Sequence, residues 1–205
     1  MFNNILKLLR ILDMPLTQEH KLRSRKKILD SALKLFIAHG FNNVSIDKIM
    51  QNVNMTRGAF YAHFSSKSEL YKESILNAAF NTDLAQMKPE NISEQEWIKK
   101  LLKGYLNSDH ISLKSKPCPL AFLSTDVAVS KPEVRKAFTT TYINMNKTIL
   151  NYTKTYSSCE EEQTLAITAM IIGGAAIARA INDEETRSKL LKSCRETSQK
   201  ILDGA

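Results

Sequence analysis

The sequence has few of the features that mark disulfide-bonded, metal-binding or nucleotide-binding proteins. Its three cysteines stand at positions 118, 159 and 194, and this odd number and wide spacing argue against a disulfide framework and a zinc cluster. The four histidines show no metal-ligand spacing, and the six glycines form no phosphate-binding loop. No nucleophile, base and orienting group occur at catalytic spacing. We therefore expect no enzyme, metal or cofactor, and a reducing cytoplasm as the compartment.

The sequence also lacks an apolar run long enough for secretion or for a membrane span. Residues 1–13 place apolar side chains on one helical face, but Lys7 and Arg10 interrupt the run that a secretory signal needs. We expect a poorly ordered terminus or a helix packed on the body, with a membrane-surface helix as the alternative. Residues 163–178 carry no charge, yet these sixteen residues fall short of the ~20 that a bilayer requires.

Residues 45–67 show the pattern of two short helices joined by a tight turn. Ser45 is a candidate N-cap for the first helix, whose apolar residues follow at helical spacing. Asn54 suits the left-handed conformation of a tight helix stop, and Thr56 can cap a second helix that runs to Phe64. This is the helix-turn-helix layout, in which the second helix enters the major groove of DNA.

The second helix of this pattern has side chains suited to DNA. Thr56, Arg57 and Tyr61 offer a hydroxyl, a cation and a phenol, whereas Gly58 and Ala59 leave room for close approach to a duplex. The net charge of +8 is concentrated in the same part of the chain. Residues 1–73 carry twelve Lys/Arg and six Asp/Glu, against seventeen and fifteen in the remainder. The positive field therefore lies with the helix-turn-helix, as phosphate binding requires.

The first third of the chain resembles the TetR family. The signature positions are Ile49, Thr56-Arg57-Gly58, Phe60-Tyr61, His63-Phe64, Ser66-Lys67 and Leu70, and Arg25–Gly40 looks like the helix that precedes them. Asn54 replaces the usual glycine, and Ala59 stands where many members have Thr or Ser, so one potential hydroxyl contact to DNA is missing. The resemblance implies an all-α fold. It has an N-terminal three-helix DNA-binding domain with the helix-turn-helix, followed by a helical C-terminal ligand-binding and dimerisation domain.

On this basis the chain divides into an N-terminal extension (1–21), a TetR-type DNA-binding domain (22–82) and a C-terminal effector-binding and dimerisation domain (83–205). The segment from Met14 resembles the usual start of such a protein, so translation could begin there. DNA contacts are expected from Arg25, Ser45, Lys48, Thr56, Arg57, Gly58, Ala59, Tyr61, His63 and Lys67. Arg57 is expected at a base edge, and Tyr61, His63 and Lys67 mainly at phosphates.

Helix signals continue through the rest of the chain. A helix from Ser65 or Ser66 to about Met87 should bridge the two domains, and Ser93 opens a capping box for the next helix. A loop is expected at 107–116, followed by helices at 120–129, 132–156, 163–178 and from Asp183 to about 202. An effector pocket could lie among the helices from the bridging helix to the 132–156 helix. Seven residues of these helices could line it: Phe80, Trp97, Leu101, Tyr105, Phe122, Tyr142 and Met145.

The apolar helix before Asp183 carries a stripe of small residues, which lets another helix approach closely. Its proposed interface positions are Ala169, Gly173, Ala176 and Ala180. An ordinary core helix is the alternative, but a monomer would have to cover this face with its own helices. The family resemblance favours a two-fold bundle of the last two helices from each subunit.

Cys118 is the one candidate for redox chemistry. Lys116-Pro117-Cys118-Pro119 places the thiol at a helix start beside a lysine, and both features lower a thiol pKa. The segment also resembles TetR subgroups that hold a glycine-cysteine pair here, some of which sense electrophiles or oxidants, although Pro117 replaces the glycine. A cysteine packed in the core is the alternative.

The combined prediction is a dimeric, cytoplasmic, sequence-specific regulator that binds double-stranded DNA. It is expected to be a repressor released from a palindromic operator by a small apolar ligand. One alternative keeps this architecture but is de-repressed by oxidation or electrophile modification of Cys118. The other, from a different class, is an architectural DNA-binding protein without an effector. The operator sequence, the effector and the regulated genes do not follow from the sequence.

Overall fold

The N-terminal half of the fold is a cluster of four helices. A computed structural model describes residues 18–80, 88–112 and 117–204, and every regular element in those ranges is a helix. The first four are α1 (Gln18–His39), α2 (Ile46–Asn52), α3 (Arg57–Tyr61) and α4 (Lys67–Phe80). Gly40 ends α1 with φ +77°, the left-handed conformation that glycine adopts readily at a helix C-terminus.

The C-terminal half contains seven further helices within the described ranges. These are α5 (Glu94–Tyr105), α6 (Ser108–Ile111), α7 (Pro119–Phe122), α8 (Ser124–Ala128), α9 (Pro132–Thr153), α10 (Glu161–Ala180) and α11 (Glu184–Leu202). The predicted capping box of α5 is confirmed: the Ser93 hydroxyl accepts the Glu96 N–H, and the Glu96 carboxylate accepts the Ser93 N–H at 3.0 Å. Helix α9 packs on α4 and on α10, and α10 pairs with α11.

The core of the N-terminal half includes residues from the C-terminal half. Its buried side chains come from α1 to α4 and from α8 and α9: Ile28, Phe36, Ile49, Phe60, Phe64, Tyr71, Leu123, Val127 and Val134 are among them. The three last residues lie beyond the predicted domain boundary at 82, so the two halves share a hydrophobic core. The domain limits themselves stay a prediction, and residues 1–17 of the proposed extension lie outside the described residues.

Three predicted elements differ from the structure. The second helix of the helix-turn-helix, predicted to run to Phe64, ends at Tyr61. The expected loop at 107–116 contains the short helix α6, which Asn107 caps by accepting the His110 N–H at 2.8 Å. The single helix expected at 120–129 is divided at Leu123. The division has a packing reason, because Leu120 in α7 packs in the core around Cys118, whereas Leu123 and Val127 pack in the core of the N-terminal half. The predicted end of the bridging helix, residues 81–87, lies outside the described residues.

Helix α10 is long and apolar enough, by length and composition, to cross a membrane. Core helices of water-soluble folds pass the same test. In this structure α10 buries one side against α9 and α11 of its own chain. That buried side includes the polar residues Thr164 and Thr168, whose hydroxyls hydrogen-bond within the fold.

Candidate functional site

The helix-turn-helix forms as the sequence predicts. Ser45 caps α2, since its Oγ accepts the Lys48 N–H at 3.1 Å. Asn54 has φ 56°, the left-handed conformation expected at the turn. The Met55 N–H then donates to the Met50 carbonyl at 2.9 Å, which closes the turn directly before α3. The turn thus has a local cause in a capping residue and a residue that tolerates positive φ.

Helix α3 presents polar and small residues outward and aromatic residues inward. Thr56 caps it by accepting the Ala59 N–H at 3.3 Å. Phe60 is fully buried, and its ring lies 5.7 Å from that of Phe64. Tyr61 is 54% exposed although it is a large aromatic side chain. Exposure of this residue beside a cation and a hydroxyl is typical of a nucleic-acid surface.

Arg57 is exposed and has partners on both helices of the motif. Its Nη1 donates to Asp47 Oδ2 in α2 at 2.6 Å. The Tyr61 hydroxyl, followed by the Asp47 carboxylate, raises the pKa of the Arg57 guanidinium. The arginine is therefore held over α3 by neighbours that a nucleic acid could replace.

Gly58 has no packing reason to be glycine. A Cβ at this position would meet only Thr56 Oγ1, at an ordinary 3.8 Å, and the backbone φ is not positive. Glycine costs about 1 kcal/mol relative to alanine in a helix. The open side of α3 at Gly58 therefore favours close approach by something outside the chain.

The exposed candidates for DNA contact are Ser45, Lys48, Thr56, Arg57, Gly58 and Tyr61. Ala59 and His63 are half-buried. Burial, with Lys21 and Arg25 nearby, lowers the pKa of His63, so its ring is neutral near pH 7. Its Nδ1 has no hydrogen-bond partner among the described residues.

Arg25 and Lys67 are only half-exposed, and their partners lie more than twenty positions away in the chain. Arg25 donates to Glu73 of α4, and its guanidinium lies 4.6 Å from the centre of the Phe64 ring. Lys67 Nζ donates to the Phe41 carbonyl at 2.8 Å and to the Val44 carbonyl at 3.0 Å. This geometry favours structural roles for both cations over the expected contacts with DNA, which stay untested predictions.

Four of the seven predicted pocket residues lie in one cluster. Tyr105, Phe122, Tyr142 and Met145 pack around the buried residues Cys118, Leu120, Ala121 and Ala175. Leu101 packs mainly with a second cluster between α5, α10 and α11, and Trp97 is buried in α5. The side chain of Phe80 lies outside the described part of the structure.

The cluster contains an unusual buried histidine. The His110 ring lies 4.6 Å from the Tyr105 ring and 5.4 Å from the Phe122 ring. Its Nε2 has no hydrogen-bond partner within the described ranges. Burial lowers the pKa of His110 to about 4, so the ring is neutral at pH 7. His110 is not among the candidates predicted from the sequence, because it falls in the predicted polar loop at 107–116, where a side chain is expected to be exposed.

Cys118 does not have the electrostatic environment expected for an activated thiol. The side chain is buried, and this burial raises its pKa, against the opposite effects of the Tyr105 hydroxyl and the Leu120 and Ala121 N–H groups. Burial of Cys118 thus disfavours the thiolate, and the redox role of this residue stays a prediction. The four-residue α7 is too short to supply a strong dipole. Lys116 lies outside the described residues.

The predicted interface stripe is exposed on α10. Ala169 and Ala180 are exposed, and Gly173 and Ala176 are half-buried. A Cβ at Gly173 would meet nothing within 4 Å, whereas one at Gly174 would lie 2.8 Å from Cys194 Sγ of α11. Gly174 thus serves packing within the chain, and Gly173 does not. Two large apolar residues of α10, Leu165 and Ile177, are also exposed.

Comparison with known proteins agrees with this geometry. Residues 28–74 match the sequence model of bacterial regulatory proteins of the tetR family. The HTH-type transcriptional regulator SrpR of Pseudomonas putida is 31% identical over 74 residues, which are 36% of this chain and 34% of SrpR. IcaR of Staphylococcus epidermidis, the HTH-type negative transcriptional regulator of the biofilm operon icaADBC, is 34% identical over 53 residues, 26% of this chain and 29% of IcaR.

The matched region spans about a third of the length of these curated relatives. Similarity of fold extends further. A TetR transcriptional regulator from Legionella pneumophila has a TM-score of 0.69 at 21% identity, and the match covers 85% of this chain and 94% of that one. Both sequence relatives are named as transcriptional regulators rather than as enzymes. Residues 28–74 thus match the tetR family of bacterial regulatory proteins in sequence, and the fold over most of the chain is similar to that of a TetR transcriptional regulator.

Proposed function

We propose that this protein is a dimeric transcriptional repressor that binds a palindromic operator through α3. The observation that carries the proposal is the outer face of α3. Thr56, Arg57, Gly58 and Tyr61 are exposed there, while Phe60 anchors the opposite face in the core. A hydroxyl, a guanidinium and a phenol can contact base edges and phosphates, and Gly58 allows the helix backbone to approach the groove.

Individual contacts follow from the exposure of these side chains. Arg57 reads a base edge, because its guanidinium is exposed and can exchange Asp47 for the paired acceptors of a guanine. Lys48 and Tyr61 contact phosphates, and the N-terminal cap residues Ser45 and Thr56 lie at the helix starts where phosphates bind.

Dimerisation through α10 supplies the second recognition helix. An exposed apolar stripe with a glycine that its own chain does not require is suited to a copy of the same helix. A two-fold axis there makes the contact self-complementary, and it predicts an operator with two inverted half-sites.

Control of DNA binding is proposed to come from a small, largely apolar ligand. The support is the aromatic cluster of Tyr105, Phe122 and Tyr142 around Cys118, which includes His110 Nε2 without a partner among the described residues. Apolar walls with a few polar atoms are typical of sites for small molecules. The name of IcaR, a negative regulator, supports repression rather than activation.

The direct test is a selection of bound sequences from random DNA. An inverted repeat should emerge from the unmodified protein. Arg57→Ala should weaken the best site by about 1–3 kcal/mol and relax base preference at one position in each half-site. Recovery of unrelated sequences, with equal loss for specific and random DNA, would contradict reading by α3. A compound screen for release from the selected site then separates a regulated repressor from an architectural DNA-binding protein.

A further inference from the structure

The two halves of the fold share a hydrophobic core and are also joined by one carboxylate. Asp126 lies in α8, and its Oδ2 accepts the Phe41 N–H at 3.0 Å and the Tyr71 hydroxyl at 2.9 Å. Phe41 follows α1 almost directly, and Tyr71 belongs to α4. One oxygen from the C-terminal half therefore holds two separate elements of the DNA-binding half.

Phe41 is fixed by further contacts on its other sides. Its ring stacks on that of Tyr71 with centroids 4.9 Å apart and planes 28° from parallel. Its carbonyl accepts Lys67 Nζ, and the same ammonium lies 4.1 Å from the centre of the Phe41 ring. Ser45, the cap of α2, comes four positions later in the chain. The short segment 41–45 thus transmits the position of Phe41 to the helix-turn-helix.

The surroundings of Asp126 are suited to fixing an orientation. Leu123, Val127 and Val134 pack on the core of the DNA-binding half, but apolar contacts permit sliding and rotation. The two hydrogen bonds of Asp126 are directional and define how the halves are turned relative to each other. A cleft of about 120 Å³ lies beside them and is lined by Phe41 and Asp126 among others.

We propose that Asp126 is a positioning residue that sets the half-site spacing read by the dimer. The proposal rests on the dimeric, DNA-binding function proposed above. The two recognition helices of a dimer match half-sites about one helical turn apart, so their separation depends on how each DNA-binding half is held on its body. Asp126 fixes that angle through Phe41 and Tyr71. The aromatic cluster around Cys118, which is the proposed ligand site, is connected to Asp126. Helix α7 lies in that cluster, and α8, which carries Asp126, starts directly after Leu123.

The test compares operators of native spacing with operators that carry two extra base pairs between the half-sites. The unmodified protein should prefer the native spacing by on the order of tenfold or more, as for other errors of site geometry. Asp126→Ala removes both hydrogen bonds and should lose most of this preference. Tyr71→Phe keeps the ring stack and should lose part of it. Asp126→Asn, which retains an acceptor oxygen, should restore part of the preference.

Ser93→Ala serves as the matched control, because it removes the capping box of α5 away from the junction. It should lower stability while leaving the spacing preference unchanged. If Asp126→Ala instead weakens binding to both operators equally, the residue supports folding only and the proposal is overturned. Affinities of Asp126→Ala equal to those of the unmodified protein would overturn it as well.

Hydrogen exchange separates this proposal from the proposed function. If the unmodified protein binds no DNA, the function fails, and the junction is then judged by amide exchange alone. Asp126→Ala should speed exchange at Phe41 and through α2 while α5 stays protected as before. Unchanged exchange at Phe41 would show that Asp126 does not hold this segment.

Discussion

The buried histidine of the C-terminal half should make stability depend on pH between about 6.5 and 4. Burial lowers the pKa of His110 from an ordinary 6.5 to about 4. Below pH 6.5 the unfolded chain binds a proton at this ring, whereas the folded protein stays neutral until the pH approaches 4. Stability from the neutral ring is therefore fully present above pH 6.5, is lost as the pH falls, and levels off below 4.

The size of the effect follows from the shift. At about 1.4 kcal/mol for each pKa unit, the loss across the whole interval is about 3 kcal/mol. This is a large part of a typical folding free energy of roughly 5–15 kcal/mol. The Arg179 guanidinium lies 5.1 Å from the centre of the Phe122 ring, which the His110 ring also contacts. No carboxylate takes part in the shift, whose cause is burial.

The assay is urea unfolding at fixed protein concentration from pH 7.5 to 4, for the unmodified protein and for His110→Phe. Phenylalanine keeps the aromatic contacts with Tyr105 and Phe122 but does not titrate. The stability difference between the two proteins should shift in favour of the variant by about 3 kcal/mol as the pH falls. Carboxylate titrations cancel in this difference. His39→Gln, at an exposed position, should leave the slope unchanged. A stability difference that stays constant across the interval would refute the assignment.

Three further predictions concern other parts of the molecule. Lys48→Ala should weaken binding to all DNA alike and reduce the salt slope by about one; Lys67→Ala should lower the melting temperature and leave that slope unchanged, since its ammonium binds the Phe41 and Val44 carbonyls. Gly173→Leu should convert the dimer to a folded monomer in sedimentation. Gly174→Ala should instead destabilise each subunit, because its Cβ would lie 2.8 Å from Cys194 Sγ; a monomeric unmodified protein at micromolar concentration would contradict the interface. Cys118 should react with a thiol reagent at least roughly tenfold more slowly than a free cysteine peptide at pH 7, by peptide mapping; an equal rate would revive the redox alternative.

The local features of the fold could be predicted from the sequence. Ser45, Asn54, Thr56 and Ser93 each act on backbone groups within three or four positions, so their effect is visible in the adjacent residues. The helix-turn-helix is built from such signals, and its existence and register were therefore accessible. The end of α3 was predicted less well: the helix ends at Tyr61 rather than at Phe64, whose side chain is buried in the core.

Charged residues gave weaker predictions because their partners lie far away in the chain. Arg25 pairs with Glu73, and Lys67 binds the Phe41 and Val44 carbonyls more than twenty positions earlier. A cation near a DNA-binding motif can contact a phosphate, or it can form a structural ion pair or hydrogen bond within the protein. Sequence position alone does not separate these roles, because only the folded arrangement shows whether the charge reaches solvent.

The same limit applies to Asp126, and here it bears on how the protein can be regulated. In the sequence it is one acidic residue in a helix predicted as continuous from 120 to 129. The break at Leu123 lets α7 face the cluster around Cys118 while α8 faces the DNA-binding half. A continuous helix would place Asp126 about 1.7 turns beyond Leu120 at a fixed angle around the helix axis. The break removes that constraint, so the carboxylate can meet Phe41 and Tyr71. The break between α7 and α8 thus connects the aromatic cluster around Cys118 to the helix-turn-helix. It occurs where residues of adjacent turns pack in two different hydrophobic cores.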